Sequence, residues 1–464
     1  MTSRLSAARR SRRLVTALFV ALLAFTGTVA VVSWPRPTPV PVSAALPSAA
    51  GSQASGTRPE ASPAPSREIA GGGAALPASA PPNPDPIAPV VPTATPAQEE
   101  ATLAVPEALD RTLQTRLNKV RSKYAIPGVS VTIILADGST WTGTSGYANV
   151  RKKTRVKDDT AFALASVSKT YTSALIMALA NEGKLDLDTR VSTILPKIRI
   201  AGSATVRQLL DHTSGLPDYF LNGKIDRALF GDRAREWTTR DSFRYVGKPI
   251  FPAGKGWYYS NTNYALLALI AEEVEGRPLS EQLRSRFLDP LGLDHTYEQI
   301  DERPAGPIAR GYRVTGSLSR PVYSDLSDGS KVMPFTSVVT AAPGAGSMAA
   351  SSTDVAVWAR ALYGGEVLPQ ETVRAMVADA NKTARFRPKI GYGLGVQVTT
   401  LDRRPALGHS GRLAGFRSLV RHLPADGITI AVLTNEANTD PTIIARTLLR
   451  IVSPKAPAAS PSPG

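Results

Sequence analysis

Hydrophobic and polar positions follow regular spacings from residue 107 to residue 452. A helix is predicted over Glu107–Lys123, where apolar residues recur every three or four positions. The β-branched run Val129–Leu135 predicts a strand, and the Asp137-Gly138 dipeptide that follows it is typical of a hairpin turn. Thr140–Gly146 is therefore expected to be the partner strand.

The centre of this region has helical spacing, and strands return near its end. A helix is predicted over Ser166–Asn181, closed by Gly183 in a left-handed conformation. Further helices are predicted over Thr205–Leu210, Tyr264–Val274, Leu279–Phe287 and Thr353–Leu362. Later strands, and then a final helix, are predicted over Tyr392–Thr399, Arg417–His422, Ile428–Thr434 and Pro441–Ile451. Strands at both ends of a mainly helical middle predict an α+β domain over 107–452.

The first 34 residues predict a targeting segment. Residues 1–34 carry five arginines and no acid, and the arginines precede an uncharged apolar run over residues 14–32. This run is longer than a usual signal core and approaches the ~20 residues that span a bilayer. An uncleaved membrane anchor and a signal cleaved after Ala30 are both open. In either case the rest of the chain is expected to be exported to the cell surface.

Composition separates the flanking segments from the predicted domain. Residues 35–106 hold 17 of the 38 prolines together with many Ala, Ser and Gly, which predicts a disordered linker. Residues 453–464 predict a similar disordered tail. The absence of cysteine excludes disulfides, a thiol nucleophile and cysteine metal sites. The net charge of +16 comes from scattered basic residues, so an anionic cell surface fits it better than nucleic acid.

Ser166 and Lys169 are the first candidates for chemistry. In the run FALASVSKTY they form the only Ser-x-x-Lys of the chain, at the start of a predicted helix. Residues three apart on a helix share a face, and a serine needs a neighbouring base to become a nucleophile. A lysine becomes such a base when burial lowers its pKa, and the helix N-terminus adds N–H groups for an oxyanion. The alternative is a helix-capping serine with a surface lysine, but the apolar helix predicts that Lys169 is at least partly buried.

The second candidate is Tyr259-Ser260-Asn261, just before the helix predicted from Tyr264. A tyrosine near a lysine can act as general base and then as general acid. Asn261 offers amide donors and an acceptor to a substrate backbone or to Lys169. The alternative is an ordinary aromatic loop with an Asn turn.

The third candidate is His409-Ser410-Gly411 on a glycine-rich strand. Gly411 would let a substrate lie against the strand edge. The N–H of Arg412 could then be the second oxyanion donor beside that of Ser166. Taken alone, a structural histidine in a glycine turn explains this segment equally well.

The three motifs occur in the order S-x-x-K, Y-x-N and K/H-S/T-G. With them the chain resembles the serine beta-lactamase and penicillin-binding family, in the branch of class C beta-lactamases and D-alanyl-D-alanine carboxypeptidases. The resemblance covers 107–452 and includes the runs LLDHTSGL at 209–216 and GYGLG at 391–395. It implies an antiparallel sheet flanked by helices, with a mainly helical subdomain. His212 is expected to be a structural turn residue of the family.

The resemblance also implies a role for each motif residue, without a cofactor or metal. Ser166 would be the acylated nucleophile, and Lys169 and Tyr259 would handle its proton and the leaving amine. The substrate, a peptide or small molecule such as a beta-lactam, would be bound by Asn261, His409, Ser410, Gly411 and Arg412.

The implied activity is that of an exported serine-type D-alanyl-D-alanine carboxypeptidase acting on cell-wall peptides. A beta-lactamase or an esterase of the same fold is the alternative. A non-catalytic peptidoglycan-binding module is a third possibility, which the intact trio of motifs argues against.

Two departures from the family pattern bear on the substrate. His409 stands where class C beta-lactamases have Lys, and this favours the carboxypeptidase branch. Gln397 stands where such relatives can carry Arg, so another cation would have to bind a substrate carboxylate. The candidates from sequence are Arg412, Arg403 and Arg404.

Overall fold

The computed structural model describes residues 103–380, 385–387 and 390–453. The predicted targeting segment 1–34 lies outside the described residues, as does nearly all of the predicted linker 35–106 and tail 453–464. Within the described part of the chain, none of the helices is both long enough and apolar enough to cross a membrane.

Antiparallel pairing dominates the β-structure. The described strands are β1 (Gly128–Ile134), β2 (Thr140–Asn149), β3 (Thr154–Arg155), β4 (Phe162–Ala163), β5 (Thr296–Glu298), β6 (Tyr312–Ser317), β7 (Arg320–Asp325), β8 (Met348–Ala350), β9 (Arg385–Arg387), β10 (Ile390–Tyr392), β11 (Gln397–Leu401), β12 (Arg404–Leu413), β13 (Phe416–Leu423) and β14 (Ile428–Thr434). One large sheet has the order β3-β2-β1-β14-β13-β12-β11-β10-β9. A small sheet has the order β4-β8-β5, and β6 and β7 form a hairpin.

Helices fill the sequence between β4 and β5 and flank the large sheet. The described α-helices are α1 (Glu107–Lys123), α2 (Ser168–Asn181), α3 (Val191–Ile194), α4 (Val206–Leu210), α5 (Ile225–Gly231), α6 (Thr239–Phe243), α7 (Asn261–Glu275), α8 (Leu279–Leu283), α9 (Thr336–Thr340), α10 (Ser352–Gly364), α11 (Gln370–Ala378) and α12 (Thr442–Val452). Short 3-10 turns cover Ala165–Val167 and Tyr219–Leu221. The fold is thus α+β, as predicted.

Helices cover both faces of the large sheet. Successive side chains of a strand point to opposite sides, so each strand contributes residues to both of the resulting cores. Every residue of β1 and β14 is buried. On one face, Val131 and Val432 belong to a core cluster with residues of α1 and α12. On the other face, Ala431 and Leu433 belong to a cluster with residues of α2, α7 and α10. The sequences of β1 and β14 are therefore nearly continuous apolar runs.

Helix α2 lies inside the second of these clusters and is buried almost all round. Its residues from Ser168 to Met177 are all buried. The Tyr171 ring stacks on the Trp358 ring of α10 with centroids 4.2 Å apart, and Trp358 Nε1 donates to Thr170 Oγ1 at 3.0 Å. These contacts hold the first turn of α2 between α10 and the sheet.

Most predicted elements are confirmed. The helix predicted over Leu279–Phe287 is α-helical only to Leu283 and continues as a π-helix over Arg284–Leu288. Two further elements need correction. The strand predicted over Tyr392–Thr399 is wrong, since β10 and β11 are separated by a turn at Gly393–Val396. Gly395 has a φ of +79°, and a Cβ at Gly393 would lie 2.0 Å from the Met376 carbonyl oxygen, so the segment cannot continue as an extended strand with ordinary side chains. The helix predicted from Ser166 starts two residues later, after a 3-10 turn.

Candidate active site

A strained turn presents Ser166 to the surface. Ala165, the residue before it, has a φ of +49°, an uncommon conformation for a residue with a side chain. Ser166 lies in the 3-10 turn between β4 and α2, and from residue 161 to residue 177 it alone is not buried. The turn thus exposes one side chain of an otherwise buried segment.

Lys169 is fully buried one turn further on, with its Nζ directed at three oxygen atoms. Nζ lies 3.2 Å from Ser166 Oγ, 2.7 Å from Asn261 Oδ1 and 2.6 Å from the Ala345 carbonyl oxygen. The amide and carbonyl oxygens can only accept hydrogen bonds. A neutral Lys169 therefore keeps its two N–H groups on Asn261 and Ala345 and turns its lone pair toward Ser166.

Burial also favours this neutral form. Desolvation lowers the pKa of Lys169 below its usual value, and the nearby Asp218 carboxylate opposes that effect. Asp218 is itself buried, which raises its pKa. The prediction that Lys169 is at least partly buried is confirmed.

Asn261 connects Lys169 to Asp218. Its Nδ2 donates to Asp218 Oδ2 at 2.7 Å, and Asp218 Oδ1 accepts the Phe220 N–H at 3.0 Å. Because Nδ2 faces a carboxylate, the Asn261 oxygen must face Lys169. Asp218 in this way fixes which end of the Asn261 amide the lysine contacts.

The Tyr259 hydroxyl is a second neighbour of the serine. It is hydrogen-bonded to the Ser166 side chain, and its ring centroid lies 5.1 Å from Lys169 Nζ. Burial raises the pKa of Tyr259, so the phenol is protonated at neutral pH. Ser166 Oγ consequently lies between an amine and a phenol, either of which can exchange a proton with it.

The end of β12 forms one wall beside Ser166. Leu413 pairs with Phe416 across a two-residue turn, so the N–H groups of Ser410 and Arg412 alternate away from β13. β11 pairs with β12 only as far as Gly408, which leaves these N–H groups on the edge beyond it. The Ser166 N–H belongs to the 3-10 turn before α2, beside which this edge lies.

Gly411 lets this strand approach the turn that carries Ser166. A Cβ at Gly411 would lie 2.3 Å from the Leu164 carbonyl oxygen, 2.2 Å from Ser418 Oγ and 3.1 Å from the Ala165 Cβ. Only glycine fits this contact without a shift of the backbone.

His409 is a neutral, hydrogen-bonded ring. Its Nδ1 lies 2.8 Å from the Ser410 carbonyl oxygen, which can only accept, so Nδ1 carries the proton. Nε2 then accepts from the Tyr392 hydroxyl at 3.1 Å. Burial lowers the pKa of His409 well below its usual value. This position therefore contributes no charge to the site.

A buried arginine lies behind the strand wall. Gln397 is fully buried, and its Oε1 accepts from Arg421 Nη2 at 2.8 Å, while its Nε2 lies 3.3 Å from Ser410 Oγ. A Cβ at Gly408 would lie 2.1 Å from the Val420 carbonyl oxygen and 3.2 Å from Arg421 Nη1, so the backbone of β13, and less closely the guanidinium, packs against this glycine. Burial lowers the pKa of Arg421 to about 10, so it remains a cation at neutral pH.

Two of the three arginines proposed from sequence for a substrate carboxylate are in the wrong place. Arg404 starts β12, at the opposite end from Ser410, where it contacts Asp426 and Ser453. Arg403 lies in the turn before it. Arg412 stays at the site edge.

Sequence reasoning missed three groups of the site. Asp218 follows Leu216-Pro217, and this local sequence predicts only a helix-capping turn. Nothing near it in the chain indicates its hydrogen bond with Asn261. The Ala345 oxygen is a backbone atom and has no sequence signal. Arg421 lies in the strand predicted over Arg417–His422. A charged residue inside this apolar run was the sequence signal that could have indicated a buried functional cation.

Comparison with known proteins agrees with this geometry. Residues 109–452 match the Beta-lactamase family. Penicillin-binding protein 4 of Amycolatopsis lactamdurans is 29% identical over 338 residues, covering 69% of this chain and 84% of that protein. Penicillin-binding protein 4* of Bacillus subtilis (strain 168) is 26% identical, covering 71% of this chain and 72% of that protein.

Solved structures show the same fold. A D-stereospecific amidohydrolase from Streptomyces sp. superposes with a TM-score of 0.62 at 26% identity, covering 75% of this chain and 99% of that one. The D-amino acid amidase from Ochrobactrum anthropi SV3, complexed with D-phenylalanine, gives 0.63 at 26% identity, with 74% and 99% covered. The family match spans α1 to α12 and contains every residue of the site described above, so the chain belongs to the beta-lactamase family, as a serine hydrolase of that fold.

Proposed function

We propose that the protein is a cell-surface D-alanyl-D-alanine carboxypeptidase that removes the terminal residue of cell-wall peptides through an acyl-enzyme at Ser166. The observation that carries the proposal is the geometry of Lys169. Its Nζ has two pure acceptors as partners and a third partner, Ser166 Oγ at 3.2 Å, that can give it a proton. The two penicillin-binding relatives support the substrate class.

Acylation follows from this arrangement. Ser166 Oγ attacks the carbonyl carbon of the penultimate D-Ala while its proton passes to the neutral Lys169 amine. The carbonyl oxygen becomes an oxyanion that accepts from the N–H groups of Ser166 and Arg412. The C–N bond then breaks, and the leaving amine takes the proton back through the Tyr259 hydroxyl. The products are free D-Ala and an ester on Ser166.

Deacylation reverses the roles of the same groups. A water molecule gives a proton to the Tyr259–Lys169 pair and attacks the ester carbonyl. The C–Oγ bond breaks, Ser166 regains its proton, and the shortened peptide leaves with a new carboxylate. No group beyond this chain and water enters the balance.

A buried positive charge supports recognition of the substrate's terminal carboxylate. Arg421 donates to Gln397, whose Nε2 faces Ser410 Oγ at the edge of β12. A chain of donors from a cation strengthens the last hydrogen bond, here from the Ser410 hydroxyl to a bound anion. Arg412, on the same edge, adds a second positive charge. Through Gln397 the Arg421 cation polarises the Ser410 hydroxyl, whereas an arginine at position 397 would place its own positive charge in the site.

A D-amino acid amide or ester hydrolase is the second candidate. The neutral His409 and Gln397 leave fewer direct cations in the site, and two solved relatives are described as a D-stereospecific amidohydrolase and a D-amino acid amidase. A beta-lactamase shares the same first step. A non-catalytic binding module is disfavoured. Burying Lys169 costs desolvation free energy, and a protein that only binds its ligand would have no proton transfer for which a buried lysine is needed.

The test uses the full chain with a fluorescent penicillin. Wild-type protein is expected to be labelled covalently, with the adduct on Ser166 by mass spectrometry, and Ser166→Ala to be unlabelled. Ser319→Ala, an exposed serine of the β6–β7 turn, is the matched control and should label normally. Wild-type protein that is not labelled would refute the acyl-enzyme proposal.

Turnover then separates the substrates. The carboxypeptidase proposal predicts a higher kcat/KM for a D-Ala-D-Ala peptide than for the same peptide amide, a D-amino acid amide, nitrocefin or a p-nitrophenyl ester. A higher value for the D-amino acid amide would favour the second candidate.

Export is proposed from the arginine-flanked apolar run at residues 14–32. The protein is expected in the membrane fraction if this run is retained, or in the medium if it is cleaved. The N-terminal mass of the mature protein distinguishes the two, and a full-length protein in the cytoplasm would overturn export.

A further inference from the structure

His212 lies directly behind the segment that carries Tyr259 and is bonded to it at two points. The His212 carbonyl oxygen accepts the Tyr258 N–H at 3.0 Å. Its Nδ1 accepts the Ser260 N–H at 3.2 Å and lies 3.0 Å from Asn263 Nδ2. The backbone on both sides of Tyr259 is therefore held by one residue.

These contacts determine the tautomer of the ring. The Ser260 N–H is a backbone donor, so Nδ1 must carry a lone pair and the ring proton must lie on Nε2. Nε2 is buried and has no hydrogen-bond partner among the described residues. The ring is fully buried and stays neutral, because burial lowers its pKa well below the usual value.

The ring itself packs against the catalytic segment. Its centroid lies 4.4 Å from that of the Tyr259 ring, 4.7 Å from Tyr392 and 5.3 Å from Tyr264. Rings on several sides leave the imidazole no room to rotate.

A residue needed only to make the turn would have a different side chain. His212 has a φ of +65°, a conformation that glycine adopts without strain and that asparagine tolerates. A buried N–H without a partner adds a further cost. The imidazole is therefore explained by its Nδ1 contact rather than by the turn.

We propose that His212 is a positioning residue that sets the Tyr259 hydroxyl and the Asn261 amide against Ser166 and Lys169 by holding the Ser260 N–H on an unprotonated Nδ1. Ser260 lies between Tyr259 and Asn261, so its backbone orientation controls both side chains. The inference rests on the proposed function, in which Tyr259 returns a proton to the leaving amine.

The expected defect depends on the leaving group. An amide nitrogen must gain a proton to leave, whereas p-nitrophenolate leaves as an anion and needs none. Loss of the Nδ1 contact should therefore slow acylation by the amide far more than acylation by the p-nitrophenyl ester. A role in stability alone would lower both rates together, through a smaller fraction of folded enzyme.

The variants use the full chain. His212→Gly accepts the positive φ but removes Nδ1, and His212→Asn accepts it while offering Oδ1 as a replacement acceptor. His212→Gly is expected to lose about 100-fold in kcat/KM on the amide, the scale of one acid–base contribution, and less than about 10-fold in kcat/KM on the ester. The ratio kcat/KM is used because it reports acylation alone, whereas kcat also contains deacylation, in which Tyr259 acts on both substrates. His212→Asn should recover most of the amide rate. His422→Asn, a histidine of β13 bonded to Thr429, is the control and should leave the ratio of the two rates unchanged.

Equal losses on amide and ester, or an Asn variant no better than Gly at equal folded fraction, would overturn the inference. The chain has four histidines, so ¹⁵N NMR of the wild type can assign the His212 tautomer without any substrate. The Nε2–H form is expected, and an Nδ1–H form would refute the inference even if every variant fails to fold. An inactive wild type with the Nε2–H form would instead refute the proposed function.

Discussion

At the scale of single residues, the proposed mechanism makes the protonation state of Lys169 control whether Ser166 can lose its proton. Full burial disfavours the ammonium form, and Asp218, reached through Asn261, favours it. The two effects oppose each other, and burial is the larger. The site thus holds a lysine that is ready to accept a proton in a pH range where an exposed lysine is charged.

The acylation rate is expected to rise with pH as Lys169 loses its proton. The midpoint of this rise should lie well below pH 10.5, the pKa of an ordinary lysine, because burial lowers the pKa of Lys169. Asp218→Asn removes the anion that raises the Lys169 pKa, so the rise should move to lower pH, by about one unit for ~1.4 kcal/mol of interaction. Stopped-flow acylation by a penicillin from pH 5 to pH 9 measures this. Asp226→Asn, on α5, is the control, and a rise that stays in place or moves upward would contradict the assignment.

At the scale of elements, β12 and the turn before α2 meet through backbone atoms. Gly411 is the contact point, and the proposed mechanism depends on this approach for both oxyanion donors and for the nucleophile. The same strand brings Ser410 over Gln397 and Arg421. Small backbone displacements here should therefore affect catalysis more than folding.

Gly411→Ala is expected to push β12 away from the Ser166 turn, because the new Cβ would lie 2.3 Å from the Leu164 oxygen. Acylation should slow about 100-fold through the weakened oxyanion site, with about 1–3 kcal/mol of lost stability. Labelling kinetics and thermal unfolding give the two values. Gly223→Ala, whose Cβ meets nothing within 4 Å, should change neither. Normal labelling by Gly411→Ala would show that the contact is not needed.

Gln397→Glu keeps the shape of the side chain but places an anion against Arg421. The carboxylate would neutralise the buried charge behind Ser410, so the KM for a peptide ending in a free carboxylate should rise about 10-fold, or ~1.4 kcal/mol. The matching peptide amide should be bound as before. Steady-state kinetics on the two peptides test this, and equal changes in both would exclude a role in carboxylate recognition.

At the scale of the whole molecule, one sheet joins the two main core clusters, since α1 and α12 cover one face and α2, α7 and α10 cover the other. The site contacts given above lie between residues 164 and 421. Among the described elements, α1 begins at Glu107 and α12 ends at Val452.

A chain that begins at residue 103 is expected to unfold in one transition and to be acylated at the full-length rate, because the described contacts of the site lie within it. Calorimetry and penicillin labelling of both chains make the comparison. A large loss of labelling in the shorter chain would show that the segment before residue 103 contributes to the site.

Much of this protein follows from local pattern. The spacing in α1, the turn after β1 and the apolar run of β14 each appear in short windows, so their bounds agree closely with prediction. Ser166, Lys169 and Tyr259 were identifiable because each stands in a short motif. The sequence did not predict the break between β10 and β11. Gly393 is required there by its close contact with the Met376 carbonyl oxygen, and Met376 is distant in sequence.

From the sequence alone follow the fold class, the order of the motifs and the prediction of Ser166 as nucleophile, all of which depend on residues close together in the chain. The lowered pKa of Lys169, the tautomers of His409 and His212, and the hydrogen bond from Arg421 to Gln397 depend on burial and on contacts between distant segments. Asp218 shows the difference clearly. It lies 49 positions after Lys169 and 43 before Asn261, and only folding brings its carboxylate to the amide that orients the lysine.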